Sequence, residues 1–301
     1  MTKDIRKIAI IGAGKMGGWL AKVLSQDYSV AVYDLDPKKV SSITSSTSST
    51  NSSTNNSTTS SATTSLNESS KDSIHTITAL SDLSALSSFA PDLLINAVSL
   101  QHTLSAFDSI TPNLPKTCIL ADVASIKFGL PDYYKCAGFR FVSVHPMFGP
   151  TFANMDYLKE QNAVIIKESD SEGVDFFRVF FQKLGLRIFD YTFDEHDQMM
   201  AYSLTTPFVS SLVFAACMDS AAVPGTTFKK HREIACGVLS EDDSLIAEIL
   251  FNPHSLSQIE KITGRLELLK HIIKGKDLEE TKKFLDKLRK NVGSDKTTIG
   301  N

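Results

Sequence analysis

The stretch KIAIIGAGKMGGWLAKVLSQ (residues 7–26) constrains the fold more than any other part of the chain. The four residues after its lysine are continuously apolar, which suits a strand buried on both faces, and apolar residues then recur at helical spacing across a glycine-rich turn. A strand of that kind needs parallel neighbours beside it and helices above and below. The chain up to about residue 192 supplies them. YSVAVYDLDP (28–37), DLLINAVSL (92–100), TCILADVAS (117–125), FRFVSVHP (139–146), NAVIIK (162–167) and LRIFDY (186–191) are short apolar runs, separated by helical or loop sequence. Strands alternating with helices predict an α/β, doubly wound parallel sheet.

One segment interrupts this pattern. Between Ser41 and Ser65, 20 of 25 residues are Ser or Thr, too little apolar surface to offset the entropy of ordering. Residues 41–73 are therefore expected to be a disordered low-complexity insertion, and the NxS/T triplets at Asn51, Asn55 and Asn56 to be products of its composition.

From about Thr192 the pattern is helical alone. DEHDQMMAYSLTTPFVSSLVFAACM (194–218) reads as a long apolar helix kinked at Pro207, and four more helical segments follow. Ser255 with Gln258 and Asp277 with Glu280 have the spacing of capping boxes. Ile259, Ile262, Leu266, Leu269 and Ile273 form one stripe, expected to pack inside the chain's own core. The expected division is a sheet domain over 1–192 and an all-helical domain over 193–301.

The 301 residues are enough for two cores, and 42% hydrophobic with 22% charged residues is ordinary for a globular protein. A net charge of −3 with the signs interspersed argues against nucleic acid as partner. Cys118, Cys136, Cys217 and Cys236 are too widely spaced for a CxxC site and read as reduced thiols, most of them buried. No run approaches the roughly 20 apolar residues of a membrane span. A cytoplasmic location and no membrane partner are expected.

Gly12, Gly14 and Gly17, with Lys15 and Met16 between them, match GxGxxG, and Asp34 closes the next strand 22 residues after Gly12. Strand, turn, helix and distant acid together are the context of a Rossmann dinucleotide site. Glycines let the backbone approach a pyrophosphate, whose charge rests on unpaired amides at the helix start. Asp34 would accept from both ribose hydroxyls and repel a 2′-phosphate, and Leu35 offers no arginine to hold one. The expected cofactor is NAD, with Lys38 and Lys39 leaving NADP open. Ser99, at the end of its strand, reads either as the nicotinamide side of the site or as an ordinary turn residue.

Ligands in such sheets bind outside the carboxyl ends of the strands. ILADVASIK delivers Asp122, Ser125 and Lys127 there, and FVSVHP delivers His145, held by Pro146, Gly149 and Pro150. His145 reads as a general base placed at the ligand end, against the plainer reading of a histidine bonded to a neighbouring carbonyl.

DVASIK followed by HPMFGP resembles the TyrA family, the prephenate and arogenate dehydrogenases, and EHDQMMA (195–201) resembles the segment that opens that family's helical domain. The resemblance implies a Rossmann domain that binds NAD(P) and a helical domain that supplies a homodimer interface and part of the substrate pocket. It implies His145 as the base that takes the proton of the substrate's ring hydroxyl and Ser125 as its hydrogen-bonding helper. No metal is called for, because aromatisation drives the step, and no chorismate mutase module is expected ahead of the first strand. Lys127 matches the motif but also reads as a solvated lysine, and His196 reads as a helix-start residue or a substrate contact. Where many members carry helix histidines this chain has SLTTPF, which leaves Thr205 or Thr206 to contact substrate. The family's carboxylate-binding arginine aligns with Cys236, and Arg232, one turn earlier on the same face, either takes its place or is a surface charge.

Overall fold

The computed structural model describes residues 5–48, 76–148, 158–219 and 223–293. Eight strands form one sheet: β1 (Lys7–Ile11), β2 (Ser29–Tyr33), β3 (Thr78–Ala79), β4 (Leu93–Asn96), β5 (Ile119–Asp122), β6 (Arg140–Pro146), β7 (Asn162–Ile166) and β8 (Arg187–Tyr191). Their order is β3-β2-β1-β4-β5-β6-β7-β8. The order reverses between β1 and β4, the switch point where a doubly wound sheet opens its crevice.

Both faces of the sheet are covered, as the unbroken apolar runs require. Ile8 and Ile10 of β1, Leu93 and Ile95 of β4 and Ile119 and Ala121 of β5 enter one core cluster. The alternate residues Ala9, Ile11, Leu94 and Leu120 enter the other. The helices that cover these faces include α1 (Lys15–Leu24), α2 (Pro37–Ser48), α3 (Ala85–Phe89), α4 (Leu100–Ile110), α5 (Leu130–Ala137) and α6 (Ser171–Lys183).

Two expectations about this half need correction. The sheet is parallel except where β7 pairs antiparallel with β6, in the register His145 to Val164. The insertion expected from residue 41 does not interrupt order at once, since α2 runs to Ser48. Val40 and Ile43 are buried and anchor it, while Ser41 and Ser45 satisfy their hydroxyls on the carbonyls of Pro37 and Ser41 at 2.9 and 2.8 Å. The rest of the insertion, with its NxS/T triplets, lies outside the described residues.

The remaining helices are α7 (Phe193–Met200), α8 (Thr206–Ala216), α9 (Thr226–Leu239), α10 (Asp243–Leu250), α11 (Ser255–Gly275) and α12 (Leu278–Gly293). The chain divides into two compact units, residues 1–200 with 239–252, and residues 201–238 with 253–301. The expected boundary after residue 192 thus falls one helix too early. Helix α7 belongs to the first unit because His196 and Asp197 are tied into its core, and Asn252 returns to donate to the Asp197 carbonyl at 2.9 Å.

In the second unit a π turn at Ala201–Thr205 precedes α8, whose first turn holds Pro207. Proline supplies no N–H to the ladder, and the widened turn before it takes up the loss where a kink is expected. The Asp277 cap forms, accepting from the amides of Glu279 and Glu280 at 2.9 and 3.0 Å. The Ser255 box does not, because Ser255 pairs with Thr205 at 2.7 Å and Gln258 donates to Thr206 at 2.8 Å. The stripe expected in the core is largely exposed, with Leu266 at 54%, Leu269 at 40% and Ile273 at 65%. Of the cysteines, Cys118 alone is buried, and none of the four is in a disulfide. Among the described residues Phe193–Ala216 is long and apolar enough, on length and composition, to cross a membrane. Its first third includes His196 and Asp197, whose side chains bond within the first unit.

Candidate functional site

The glycine turn is built to leave backbone exposed. Gly12 adopts φ +95°, and a Cβ there would meet Ala97 O at 2.8 Å, while one on Gly17 would meet Gly12 O at 1.8 Å. Both positions therefore exclude a side chain so that helix and strand can close on each other. Gly14 is different, since a Cβ there meets nothing within 4 Å. Gly14 also brings no side chain to cap α1, so the first amides of that helix face open space with the positive end of its dipole. Beside the turn a cleft of about 410 Å³ is lined in part by Gly14, Lys15, Trp19 and Lys22. This is a cradle for a diphosphate.

Asp34, just past β2, braces the turn from the other side. It accepts from Ala13 N at 2.7 Å and Asp36 N at 2.8 Å, and Lys39 Nζ lies 3.9 Å away. Each carboxylate oxygen keeps a second lone pair for a ribose hydroxyl. Met16 is half-buried behind the turn, and Ser99 is exposed at the start of α4. The residues present fit NAD.

A second cluster closes the carboxyl ends of β5 and β6. Asp122 is fully buried and carries an ion pair with Lys127 Nζ at 2.6 Å, a bond from the Tyr134 hydroxyl at 2.8 Å and one from Ala124 N at 3.1 Å. Lys127 is 0% exposed and also donates to Val144 O at 2.7 Å. Burial pulls the lysine pKa down and the Asp122 carboxylate opposes it. Burial likewise pushes the Tyr134 phenol well up. This side-chain bridge joins the end of β5 to Val144, the residue before His145 on β6.

His145 is 7% exposed, and its Nδ1 lies 3.0 Å from His196 Nε2. His196 Nδ1 lies 2.8 Å from Asp197 Oδ1, which also accepts the Lys127 amide at 2.8 Å. Burial holds the His145 pKa well below its ordinary value, with the neighbouring His196 ring and Lys127 ammonium adding to the effect. Burial also lowers His196, against the pull of Asp197. Both rings are thus neutral at neutral pH. The Ser125 hydroxyl, on the loop after β5, is half-buried and bonds to no group among the described residues.

Several expected contacts are corrected here. Asp122, expected at the cofactor, and Lys127, expected at the substrate, are instead fully buried and paired with each other. His196 neither caps α7 nor meets solvent. In the second unit Thr205 is buried against Ser255, and Thr206 accepts from Gln258. Arg232 is exposed on α9. Gly149 and Pro150 lie outside the described residues. Sequence reasoning missed Tyr134 and Asp197 as members of the cluster. A signal existed in the adjacent His196-Asp197 pair of EHDQMMA, but its partner His145 lies 51 residues away, where no periodicity reaches.

Residues 7–148 match the family model of the 3-hydroxyacyl-CoA dehydrogenase NAD binding domain. A probable arogenate/prephenate dehydrogenase of Methanocaldococcus jannaschii is 22% identical over 220 residues, which cover 68% of this chain. The matched region spans 48% of that relative, about half its length. Among solved structures, the prephenate dehydrogenase of Aquifex aeolicus in complex with hydroxyphenyl propionate and NAD+ superposes with a TM-score of 0.77 at 17% identity, covering 98% of this chain and 99% of that one. The arogenate dehydrogenase of Synechocystis superposes with a TM-score of 0.69 at 18% identity, covering 96% and 99%. The glycine turn, the strand order and these likenesses agree that the chain carries an NAD-binding Rossmann domain and has the fold of solved prephenate and arogenate dehydrogenases.

Proposed function

We propose that the protein is an NAD-dependent dehydrogenase that oxidatively decarboxylates prephenate to 4-hydroxyphenylpyruvate, or arogenate to tyrosine. The observation that carries this reading is a neutral, nearly buried imidazole at the ligand end of an NAD-binding sheet, with one nitrogen tied inside the protein and the other unengaged among the described residues.

Bound NAD supplies the hydride acceptor. His145 Nε2 takes the proton of the ring hydroxyl as hydride leaves the same carbon. The electron pair of the breaking C–CO₂ bond then flows into the ring, which becomes aromatic, and the oxygen recovers its proton from His145. Ser125 is suited to hold the hydroxyl in line, since its own meets no partner among the described residues. The Lys127–Asp122 bridge keeps the two strand ends from parting, and no solvent is needed inside it to balance charge. Asp34 and the amides after Gly14 hold the dinucleotide.

Two further readings complete the proposal. The exposed apolar face of α11 supports a homodimer through the helical unit. Four cysteines outside any disulfide suit a reducing cytoplasm. A second enzymatic reading, a hydroxyacyl dehydrogenase, draws on the family match over residues 7–148.

Formation of NADH on mixing protein, NAD and each candidate substrate separates them. Turnover on prephenate or arogenate and none on a 3-hydroxyacyl-CoA is expected; the reverse sinks the reading. His145→Asn should lower turnover by roughly 10² to 10⁴, the range for a lost general base, with NAD affinity nearly intact. Asp34→Ala should weaken NAD far more than substrate.

A further inference from the structure

Asp197, His196 and His145 form a chain of hydrogen bonds in which each nitrogen's role follows from its neighbour. Asp197 Oδ1 offers only lone pairs, and it already accepts the Lys127 amide at 2.8 Å. The His196 Nδ1 that faces it at 2.8 Å must therefore carry a proton. His196 is neutral, held so by burial against the pull of Asp197, so its Nε2 has a lone pair and no hydrogen. The His145 Nδ1 that faces that lone pair at 3.0 Å must then be the donor. His145 Nε2 is then the lone pair of the chain that no neighbour within it uses.

We propose that His196 and Asp197 are positioning residues that fix the proton of His145 on Nδ1 and so present Nε2 as the base. The inference rests on the reading of His145 as the base of a dehydrogenase. It adds what the strand-end position alone does not give, namely which nitrogen acts and why. An imidazole with nothing at Nδ1 would spread its proton over both nitrogens, and each molecule with Nε2–H would be unable to accept. When Nε2 takes the substrate proton, the resulting imidazolium still donates through Nδ1 to His196, and Asp197 behind it stabilises the charge. No bond inside the relay has to break. Asp122 and Lys127 from the β5 end and Tyr134 from α5 are the other titratable groups of this cluster. They are paired with one another, which leaves Asp197 as the carboxylate that bonds the imidazole chain.

The test reads the protons directly. Long-range ¹H–¹⁵N correlation spectra of histidine-labelled protein at neutral pH distinguish the two neutral tautomers and the cation. Both His145 and His196 are expected as Nδ1–H tautomers. His145 found with its proton on Nε2, or doubly protonated, overturns the proposal whatever the enzyme turns over. The Nδ1–H tautomer without NADH formation from prephenate or arogenate instead upholds the relay and sinks the substrate reading. Two variants add kinetics. His196→Leu removes the acceptor and should lower kcat by roughly 10²-fold or more, a large share of what a positioned base supplies, with KM for NAD unchanged. His196→Gln returns a carbonyl oxygen toward Nδ1 and should recover most of the loss; equal losses in both variants would mean that the residue only fills space.

Discussion

The two units solve the problem of burial in opposite ways. The first covers a sheet on both faces, and its strands β1, β4, β5 and β7 carry apolar side chains that are almost wholly buried. The second, among its described residues, buries only Ala201, Ala235 and Ile272 as apolar side chains. It relies on polar ties instead, Thr205 to Ser255 and Gln258 to Thr206. Burial of a few small side chains cannot offset the ordering entropy of five helical segments. The comparison teaches that the first unit is stabilised from within, whereas the second leaves Val213, Ile234, Leu266, Ile273 and Val292 exposed, the apolar surface on which the proposed homodimer rests.

The largest test of this contrast sets two lysines against each other. Lys127 is a charge in the core of the first unit, bonded to Asp122 at 2.6 Å. Lys127→Met should cost about 3–5 kcal/mol, because it strands a buried carboxylate. In the second unit Lys282 pairs with Glu279 at 2.8 Å on an exposed helix face, and Lys282→Met should change stability by about 0.5 kcal/mol or less. Urea unfolding of the two variants measures both. A Lys127→Met loss below about 1 kcal/mol would mean that the bridge is not what closes the strand ends. Adding Asp122→Asn to Lys127→Met should recover part of the loss, since the stranded charge is then gone.

A smaller effect comes from pH. His145 and His196 both have folded pKa values below the ordinary 6.5. In the acidic range the unfolded chain therefore binds protons that the folded one refuses. Their contribution is present above about pH 6.5 and lost as pH falls from there toward the depressed folded values. Thermal melts between pH 8 and 5 should show the midpoint falling on the acid side, and His145→Asn should flatten that fall. An unchanged slope would place the acid sensitivity elsewhere. The same direction applies to catalysis, where the acid limb of kcat/KM should lie below an ordinary histidine's.

What the sequence discloses follows from the range of the interaction involved. Continuous apolar runs and the glycine turn are local, so seven of the eight strands, the Gly12–Gly17 cradle and Asp34 were readable from spacing. The two-residue strand β3 was not, because Thr78 and Ala79 have too little pattern to register. The direction of β7 is a property of pairing with β6, which local composition does not encode. His145 was legible as a strand-end histidine. Lys127 was misread because its motif position does not tell a buried lysine from a solvated one; the deciding fact is Asp122 folding back onto it across the strand end. Asp197 escaped notice because its meaning depends on Lys127, 70 residues earlier. The stripe on α11 shows the converse, a correct period assigned to the wrong partner, since amphipathic spacing records that a face is to be covered and not by what.

That face is the site of the smallest expected change in the fold and the sharpest for the contrast. Ile273 is 65% exposed, so Ile273→Asn removes little packing inside the chain and should shift the stability of a dilute, dissociated protein by about 0.5 kcal/mol or less. At higher concentration, where the proposed homodimer forms, the same change places a polar amide in an apolar contact and should lower the sedimentation-derived mass toward the 33.0 kDa of one chain. Leu266→Asn, two turns back on the same helix, should act alike. A wild-type mass of one chain at all concentrations would remove the homodimer. Helical content unchanged in both variants while the mass drops would show that the unit keeps its own secondary structure and lends its apolar face to a second copy. That outcome fits a unit tied by hydroxyl and amide bonds more than by buried apolar surface, because those bonds survive dissociation.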